Sequence, residues 1–291
     1  MSPAAAPAVG CVVLTQGRRP DELGRALASL LAQRGVELDV VVVGNGWQPA
    51  GLPAGVRSVA LAENVGIPAG RNAGVPHVRG ELLFFLDDDA RLAQDDALAR
   101  LARRFAADPR LGLVQLRVAA DPPGSEPRDW VGRLRVGDRA RSSDVTAVWE
   151  GAVALPRAVL TRVGGWPDAF FYAHEGIDLA WRVLDAGLRV RYAGDLVALH
   201  PPHVPGRYAY SRYLGARNRV WLARRHLPLP LAAAYVTVWL GLTAARLRSP
   251  RDLRAVARGY RDGLRQPCGA RRPLRPGTLW RMVLAGRPPV I

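Results

Sequence analysis

Glu81-Leu82-Leu83-Phe84-Phe85-Leu86-Asp87-Asp88-Asp89 drives an apolar run of β-forming type straight into three consecutive carboxylates. A strand that is apolar on both faces belongs in a buried, mainly parallel sheet. This one ends in acids rather than in the Gly, Pro or Asn of an ordinary turn. Three adjacent carboxylates repel one another unless a cation lies among them, and clustered hard oxygen ligands suit Mg2+ or Mn2+. In an open α/β sheet, ligands bind beyond the carboxyl ends of the strands, so the position of the acids agrees with their chemistry. The plainer alternative is a solvated acidic turn that caps the following helix.

Upstream, Val9-Gly10-Cys11-Val12-Val13-Leu14-Thr15 reads as a short apolar strand. Leu23, Ala26, Leu27, Leu30 and Leu31 then recur at helical spacing between Asp21 and Gln33, with Asp21 as the expected N-cap. Val40 to Val43 is a second buried strand, closed by the tight turn Gly44-Asn45-Gly46. Alternation of this kind predicts a mixed, mainly parallel sheet flanked by helices, with right-handed crossovers. Between that strand and the acids lies Asn64-Val65-Gly66-Ile67-Pro68-Ala69-Gly70-Arg71-Asn72-Ala73-Gly74. Its glycines let backbone approach a ligand, and the planar fork of Arg71 suits a phosphate. No Gly-Lys-Ser/Thr follows, which excludes a P-loop.

With 291 residues, 49% of them hydrophobic, the chain can bury one large α/β core and carry a smaller appendage. Cys11 and Cys268 lie far apart without metal-ligand spacing, so no disulfide framework is expected and a reducing compartment is. Met1 to Ala8 has neither a basic n-region nor a sustained apolar h-region, which predicts a cytoplasmic protein. The net charge of +16 is lodged entirely in the last third: residues 1 to 200 balance 23 Arg with 23 acids, whereas residues 201 to 291 hold 18 Arg against Asp252 and Asp262. A neutral body with a basic end suggests an anionic surface for that end. A nucleic-acid-binding protein with structural carboxylates is disfavoured by the neutral body and by the lack of any RNA-binding or helix-turn-helix signature.

Two strands, an Asn-x-Gly-rich helix start and a strand ending in Asp-x-Asp resemble the inverting family 2 glycosyltransferases of GT-A fold, over residues 9 to about 225. Gly151-Ala152-Val153-Ala154-Leu155-Pro156-Arg157, with Val163-Gly164-Gly165-Trp166-Pro167-Asp168-Ala169-Phe170-Phe171, is similar to the acceptor-side segment of that family. His174-Glu175-Gly176-Ile177-Asp178-Leu179-Ala180-Trp181-Arg182 sits where members carry Glu-Asp-x-Asp-Leu-x-x-Arg. The resemblance implies a UDP- or dTDP-sugar donor held by Thr15, Asn45, Gly46, Asn64, Gly66, Gly70, Arg71, Asn72, Asp87 and Asp88. It implies a divalent cation (Mn2+ or Mg2+) on Asp89 and His200, and an acceptor side at Gly151, Trp166 and His174. The acceptor would be a hydroxyl of a glycan, a lipid-linked sugar or a secondary metabolite. The base is implied at Glu175 or Asp178. Gly176 stands where the family carries its second acid, which moves the role to Glu175, while Asp178 is expected to begin a helix running to Gly187. Gly44 replaces an acid common in the family, and Trp47 beside it is a candidate to stack on the base. The related sugar nucleotidyltransferases share a similar sheet, but the first strand here lacks their Gly-rich segment with Lys.

Two units follow: a catalytic domain over residues 1–205, and a basic, Arg/aromatic-rich helical extension over 206–291. In the extension, Tyr208, Tyr210, Arg212, Tyr213, Arg217, Asn218, Arg219 and Trp221 precede an uncharged stretch from Leu227 to Ala245. That stretch falls short of the ~20 residues a bilayer core requires, and reads as an interfacial helix on the membrane or a packed homodimer helix. Residues from Arg265 onward read as a loose basic tail. His203 is a weaker metal candidate than His200.

Overall fold

The computed structural model describes residues 6–202, 209–247 and 249–290. The chain begins with β1 (Ala8–Thr15), α1 (Pro20–Leu31), β2 (Glu37–Asn45), β3 (Val56–Leu61), α2 (Ile67–Gly74) and β4 (Leu82–Asp87). These four strands lie in the order β3-β2-β1-β4, all parallel. The middle third adds β5 (Arg91–Leu92), α3 (Ala97–Ala107), β6 (Leu111–Ala120), β7 (Ser143–Asp144), β8 (Ala152–Pro156), α4 (Arg157–Val163), α5 (Glu175–Asp185) and β9 (Arg189–His200). The last third is helical: α6 (Ala209–His226), α7 (Leu229–Arg246), α8 (Pro250–Arg265) and α9 (Pro276–Leu284).

The sheet continues past β4 through β8, β6, β9 and β5. β8 runs antiparallel to β4, so its first residue, Ala152, sits beside Leu86 near the carboxyl end of β4. That reversal brings the segment ahead of β8 to the three acids. The Asp87 N–H donates to the Gly151 carbonyl at 2.9 Å.

Both faces of the central strands are buried, which is why they read as unbroken apolar runs. Cys11, Val13, Phe84 and Leu86 face a cluster completed by Leu27 and Leu30 of α1 and Leu98 and Leu101 of α3. Val12, Val41, Phe85 and Val153 face the other cluster, which takes in Leu160, Leu179 and Trp181. The same cluster runs on into the last third through Leu222, Leu227, Tyr235, Leu274 and Met282.

Four local expectations are corrected. Asp21 lies in the first turn of α1, and Arg19 occupies the N-cap without a side-chain bond. The helix expected from Asp178 starts three residues earlier, at Glu175. The basic tail is ordered: α9 is apolar enough on one side to bury Met282, and Leu274 ahead of it donates its backbone N–H to the His226 carbonyl at 2.8 Å. The acidic triplet caps no helix, because β5 intervenes before α3. His203 and Tyr208 lie outside the described residues, as does the expected boundary near residue 205.

Candidate active site

Asp87 is the last residue of β4, and Asp88 and Asp89 form the turn beyond it. Their side chains diverge. Asp88 is buried and turns back to β1, where Thr15 Oγ1 donates to its Oδ2 at 2.6 Å and Arg19 to its Oδ1 at 2.9 Å. Burial pushes the Asp88 carboxyl up, against the pull of Thr15 and Arg19. The other branch of the Arg19 guanidinium meets Asp89, so one half-exposed arginine bridges two of the three acids.

Asp87, Asp89 and His200 form the third arrangement, each offering a ligand atom within 4.8 Å of the others. His200 ends β9, which β8 and β6 separate from β4 in the sheet, and is brought to this end by the parallel pairing of β9 with β6. Trp130 and Trp149 pack edge-on against its ring, at 5.5 and 5.1 Å between centroids. The Nδ1 atom lies 2.6 Å from the Pro201 carbonyl oxygen, which assigns the ring proton to Nδ1. The Nε2 lone pair is then left facing Asp89 Oδ1 at 3.0 Å, and burial holds the ring below its ordinary pKa. Two acceptors at that distance repel unless a cation serves both. Donor atoms at that separation could share one hard divalent cation. Two carboxylates with one imidazole are a donor set that Mn2+ or Mg2+ accepts.

Arg71 closes the second side. It is 3% exposed, donates to Asp87 Oδ1 at 2.7 Å and to the Glu150 carbonyl at 3.1 Å, and lies 4.9 Å over the Trp166 ring. Its Nη1 is buried and meets no acceptor among the described residues. Gly151 is required where it stands, because a Cβ there would lie 2.9 Å from Asp87 Oδ2 and inside the Trp149 ring.

The remaining Gly-rich residues build a frame beside it. Asn45 donates to Asn64 Oδ1 at 2.9 Å and to the Gly66 carbonyl at 3.2 Å, tying the end of β2 to the start of α2. Gly46 turns at φ +73 beneath Asn64. Gly70 lets α2 approach Leu14 of β1. Asn72 reaches the other way: its Nδ2 donates to the Trp166 carbonyl and its Oδ1 accepts the Trp166 N–H, both at 2.9 Å. Trp166 itself is core, edge-on to Phe85 at 5.2 Å. Trp47 packs over Gly17 in the turn after β1.

In the loop ahead of α5, Phe171, Ala173 and His174 all adopt positive φ, between 63° and 70°. Three such non-glycine residues so close together are strained, each costing of order 1–3 kcal/mol, and persist only when their surroundings fix them. Asn218 of α6 supplies the fixing: its Nδ2 lies 2.8, 2.7 and 2.9 Å from the carbonyls of Phe170, Tyr172 and Ala173. Phe171 accepts the Ile67 N–H at 2.7 Å from the other side. Burial pushes the His174 imidazole down to about 3, with Arg219 adding to the effect. Glu175 opens α5 with a carboxyl pushed up to about 8, first by burial and then by Glu150.

Asp178 points elsewhere. It is fully buried, receives Arg182 Nε at 2.7 Å and meets His226 Nε2 at 2.6 Å, with Arg225 Nε at 3.3 Å. Burial alone would raise its pKa, but His226, Arg182 and Arg225 together hold it far below the usual carboxylate range. It therefore joins α5 to α6. Four participants escaped the sequence reading. Arg19 carries no mark in a lysine-free chain with 41 arginines. Glu150, Asn218 and His226 stand in stretches without a helical or strand period that would aim them at the site.

Similarity searches agree with this geometry. The family model described as glycosyl transferase family 2 matches residues 11–160. A "Pre-mycofactocin glycosyltransferase" of Mycobacterium tuberculosis is 28% identical over 192 residues, 60% of this chain and 39% of its own length. A "Succinoglycan biosynthesis protein ExoO" of Rhizobium meliloti is 35% identical over 107 residues, 34% of this chain and 31% of its own. The chain thus spans about a third to two fifths of the curated relatives it matches. Among solved structures, a mannosyltransferase of Pyrobaculum calidifontis in complex with GDP-Man and Mn2+ superposes with a TM-score of 0.58 at 23% identity, over 97% of this chain and 85% of that one. GalNAc-T7 with UDP, GalNAc and Mn2+ gives 0.66 at 13% identity, over 91% and 57%.

Proposed function

The chain belongs to glycosyl transferase family 2, with a GT-A fold, and from that premise we propose that it moves a sugar, with inversion, from a nucleoside-diphosphate sugar to an acceptor hydroxyl. The observation that carries the reading is the cluster of Asp87, Asp89 and His200, with His200 Nε2 3.0 Å from Asp89 Oδ1, which suits a hard divalent ion where a diphosphate would lie. Such an ion, when bound, supplies Lewis-acid stabilisation to the departing diphosphate. Asp87, Asp89 and His200 would hold it. Arg71, with one buried N–H group unpaired among the described residues, is placed to add a charge-assisted bond to a phosphate oxygen. Arg19 is the second cation within reach. Glu175, at the end of the strained loop, takes the acceptor proton. A UDP-sugar is the donor we favour, in keeping with UDP in one structural neighbour, and GDP-mannose in the other sets the competing arm.

The test is a thermal-shift panel of UDP-, dTDP- and GDP-sugars with and without Mn2+. The expected result is stabilisation by one donor class that needs the ion and vanishes in Asp89→Ala, whose own melting temperature is kept. Donor binding of equal strength in Asp89→Ala, or without any divalent ion, overturns the assignment.

The last third supports a second proposal, attachment to an anionic membrane. α7 has a mean hydropathy of 1.2 with only 11% of that window buried, and it leaves Leu229, Val238 and Leu240 exposed. Arg246 closes the helix and exposed Arg251 and Arg254 follow it on α8. An apolar face bordered by arginine suits lipid headgroups better than water. A second copy of the chain on the same face is the other outcome.

A further inference from the structure

Glu150 precedes β8 and reaches the same end of the sheet as Asp87, because β8 runs antiparallel to β4. Its Oε1 accepts the Gly176 N–H at 2.7 Å in the first turn of α5. The side chain also fills the space that any substituent at 176 would need: a Cβ there would lie 2.7 Å from Glu150 Cδ and 2.8 Å from its Cγ. Glycine at 176 therefore admits a carboxylate from another element into the start of α5. Immediately before that glycine stands Glu175, 3% exposed, with an Oε2 that meets no partner among the described residues. A buried carboxylate oxygen left without a donor, with the Glu150 carboxylate bound to the N–H of the very next residue, is explained if a proton is held between the two groups.

Resting on the assignment of Glu175 as the base, we propose that Glu150 and Glu175 form one acid pair sharing a single proton, with Glu150 the positioning residue that acts through Glu175. The electrostatics agree. Burial raises both carboxyls, Glu150 raises Glu175 further, and Arg71 opposes the shift in each. The groups facing the pair are Arg71 from α2, Asp87 from β4, Tyr172 from the loop ahead of α5 and the Gly176 N–H, with Asp129 beyond Tyr172. In transfer, the acceptor O–H bond breaks and its proton passes to the singly protonated pair. The freed oxygen pair forms the bond to the anomeric carbon, and the carbon–oxygen bond to the diphosphate breaks, its electrons leaving on the phosphate. The pair ends neutral and returns one proton to water. Two carboxyls holding one proton titrate as a unit, so no midpoint belongs to either alone.

The chain has seven glutamates, few enough to follow by 13C NMR after labelling the side-chain carboxyl carbon. In the wild type, two of the seven carbons should report one shared titration with a step above the ordinary carboxylate range. Glu150→Gln, which keeps an oxygen for the Gly176 N–H, should replace it at Glu175 by a single step about one pH unit or more lower, and Glu175→Gln should do the same at Glu150. Glu150→Asp should retain the coupling. Seven ordinary midpoints in the wild type overturn the pair, even if no variant folds. So do single variants that leave the partner unmoved. A chain that binds no nucleotide sugar yet shows the reciprocal shifts loses the transferase reading and keeps the pair; one that turns over donor with independent titrations loses only the pair.

Discussion

Glu175 and Asp178 are both buried acids of one helix, three residues apart, and their surroundings drive them in opposite directions. Glu175 has a folded-state pKa of about 8, above the roughly 4.3 of an unfolded glutamate. Between those values the native state holds a proton that the unfolded chain has lost, so stability falls as pH rises through that window. Glu175→Gln should therefore melt above the wild type at pH 8 and level with it at pH 4, while turnover drops by about 10² to 10⁴-fold at unchanged donor affinity. A variant that melts no higher at pH 8 contradicts the burial of the charge. Asp178 has a depressed folded pKa, so its contribution is complete above the unfolded value near 3.9 and disappears as pH falls toward the folded one. Removing that charge strands Arg182, Arg225 and His226, and Asp178→Asn should destabilise by about 3 kcal/mol or more at neutral pH. That exceeds the ~1 kcal/mol of a lost helix cap, and denaturant titration distinguishes the two. Asp87 and Asp89 were legible because a polar cluster ending an apolar run has few structural explanations. Glu150 was not, since a lone acid after a tryptophan carries no period, and only the antiparallel return of β8 gives it an address.

Asn218 does for the loop ahead of α5 what a capping residue does for a helix end, except that the donor comes from another helix. Asn218→Ala takes that donor from three carbonyls, of which that of Phe170 keeps the Tyr172 N–H and Arg217, at about 1–3 kcal/mol for each one left unsatisfied. The expected result is a lower melting temperature, together with faster amide exchange in residues 171–175. Exchange that rises evenly over the whole chain would mean Asn218 merely packs α6. β1, β2 and β4 followed directly from apolar runs, whereas β3 (Val56–Leu61), half-exposed along its length, and the start of α5 did not. His174 at φ +69 sets that start, a conformation no local preference requests and the grip of α6 on Ala173 helps to maintain. α9 was hidden for a compositional reason: arginines and prolines on either side of Leu279 and Met282 mask an apolar stripe only three residues deep.

The division of the chain into a neutral body and a basic end is real in charge and absent in packing, since one buried cluster spans Val12 and Met282. Vesicle attachment can therefore be probed by surface substitution in place of truncation. The intact chain should sediment with vesicles containing anionic lipid, and added salt should weaken this because the arginine field is screened. Val238→Asp with Leu240→Asp should abolish it without loss of melting temperature. Attachment that survives both changes and high salt would place the contact elsewhere, and a dimer in solution without lipid binding would give α7 to a second copy. The grip of Asn218 on residues 170–173 also has a bearing on synthesis. Domains tend to fold from the N-terminus as they leave the ribosome. Here the β1–β9 sheet can close while the loop ahead of α5 still lacks the helix that holds it. A nascent chain stalled before residue 218 should then accept a protease cut between Asp168 and Glu175, and one stalled well past His226 should resist it, so catalytic competence arrives late in translation, with the helices written last.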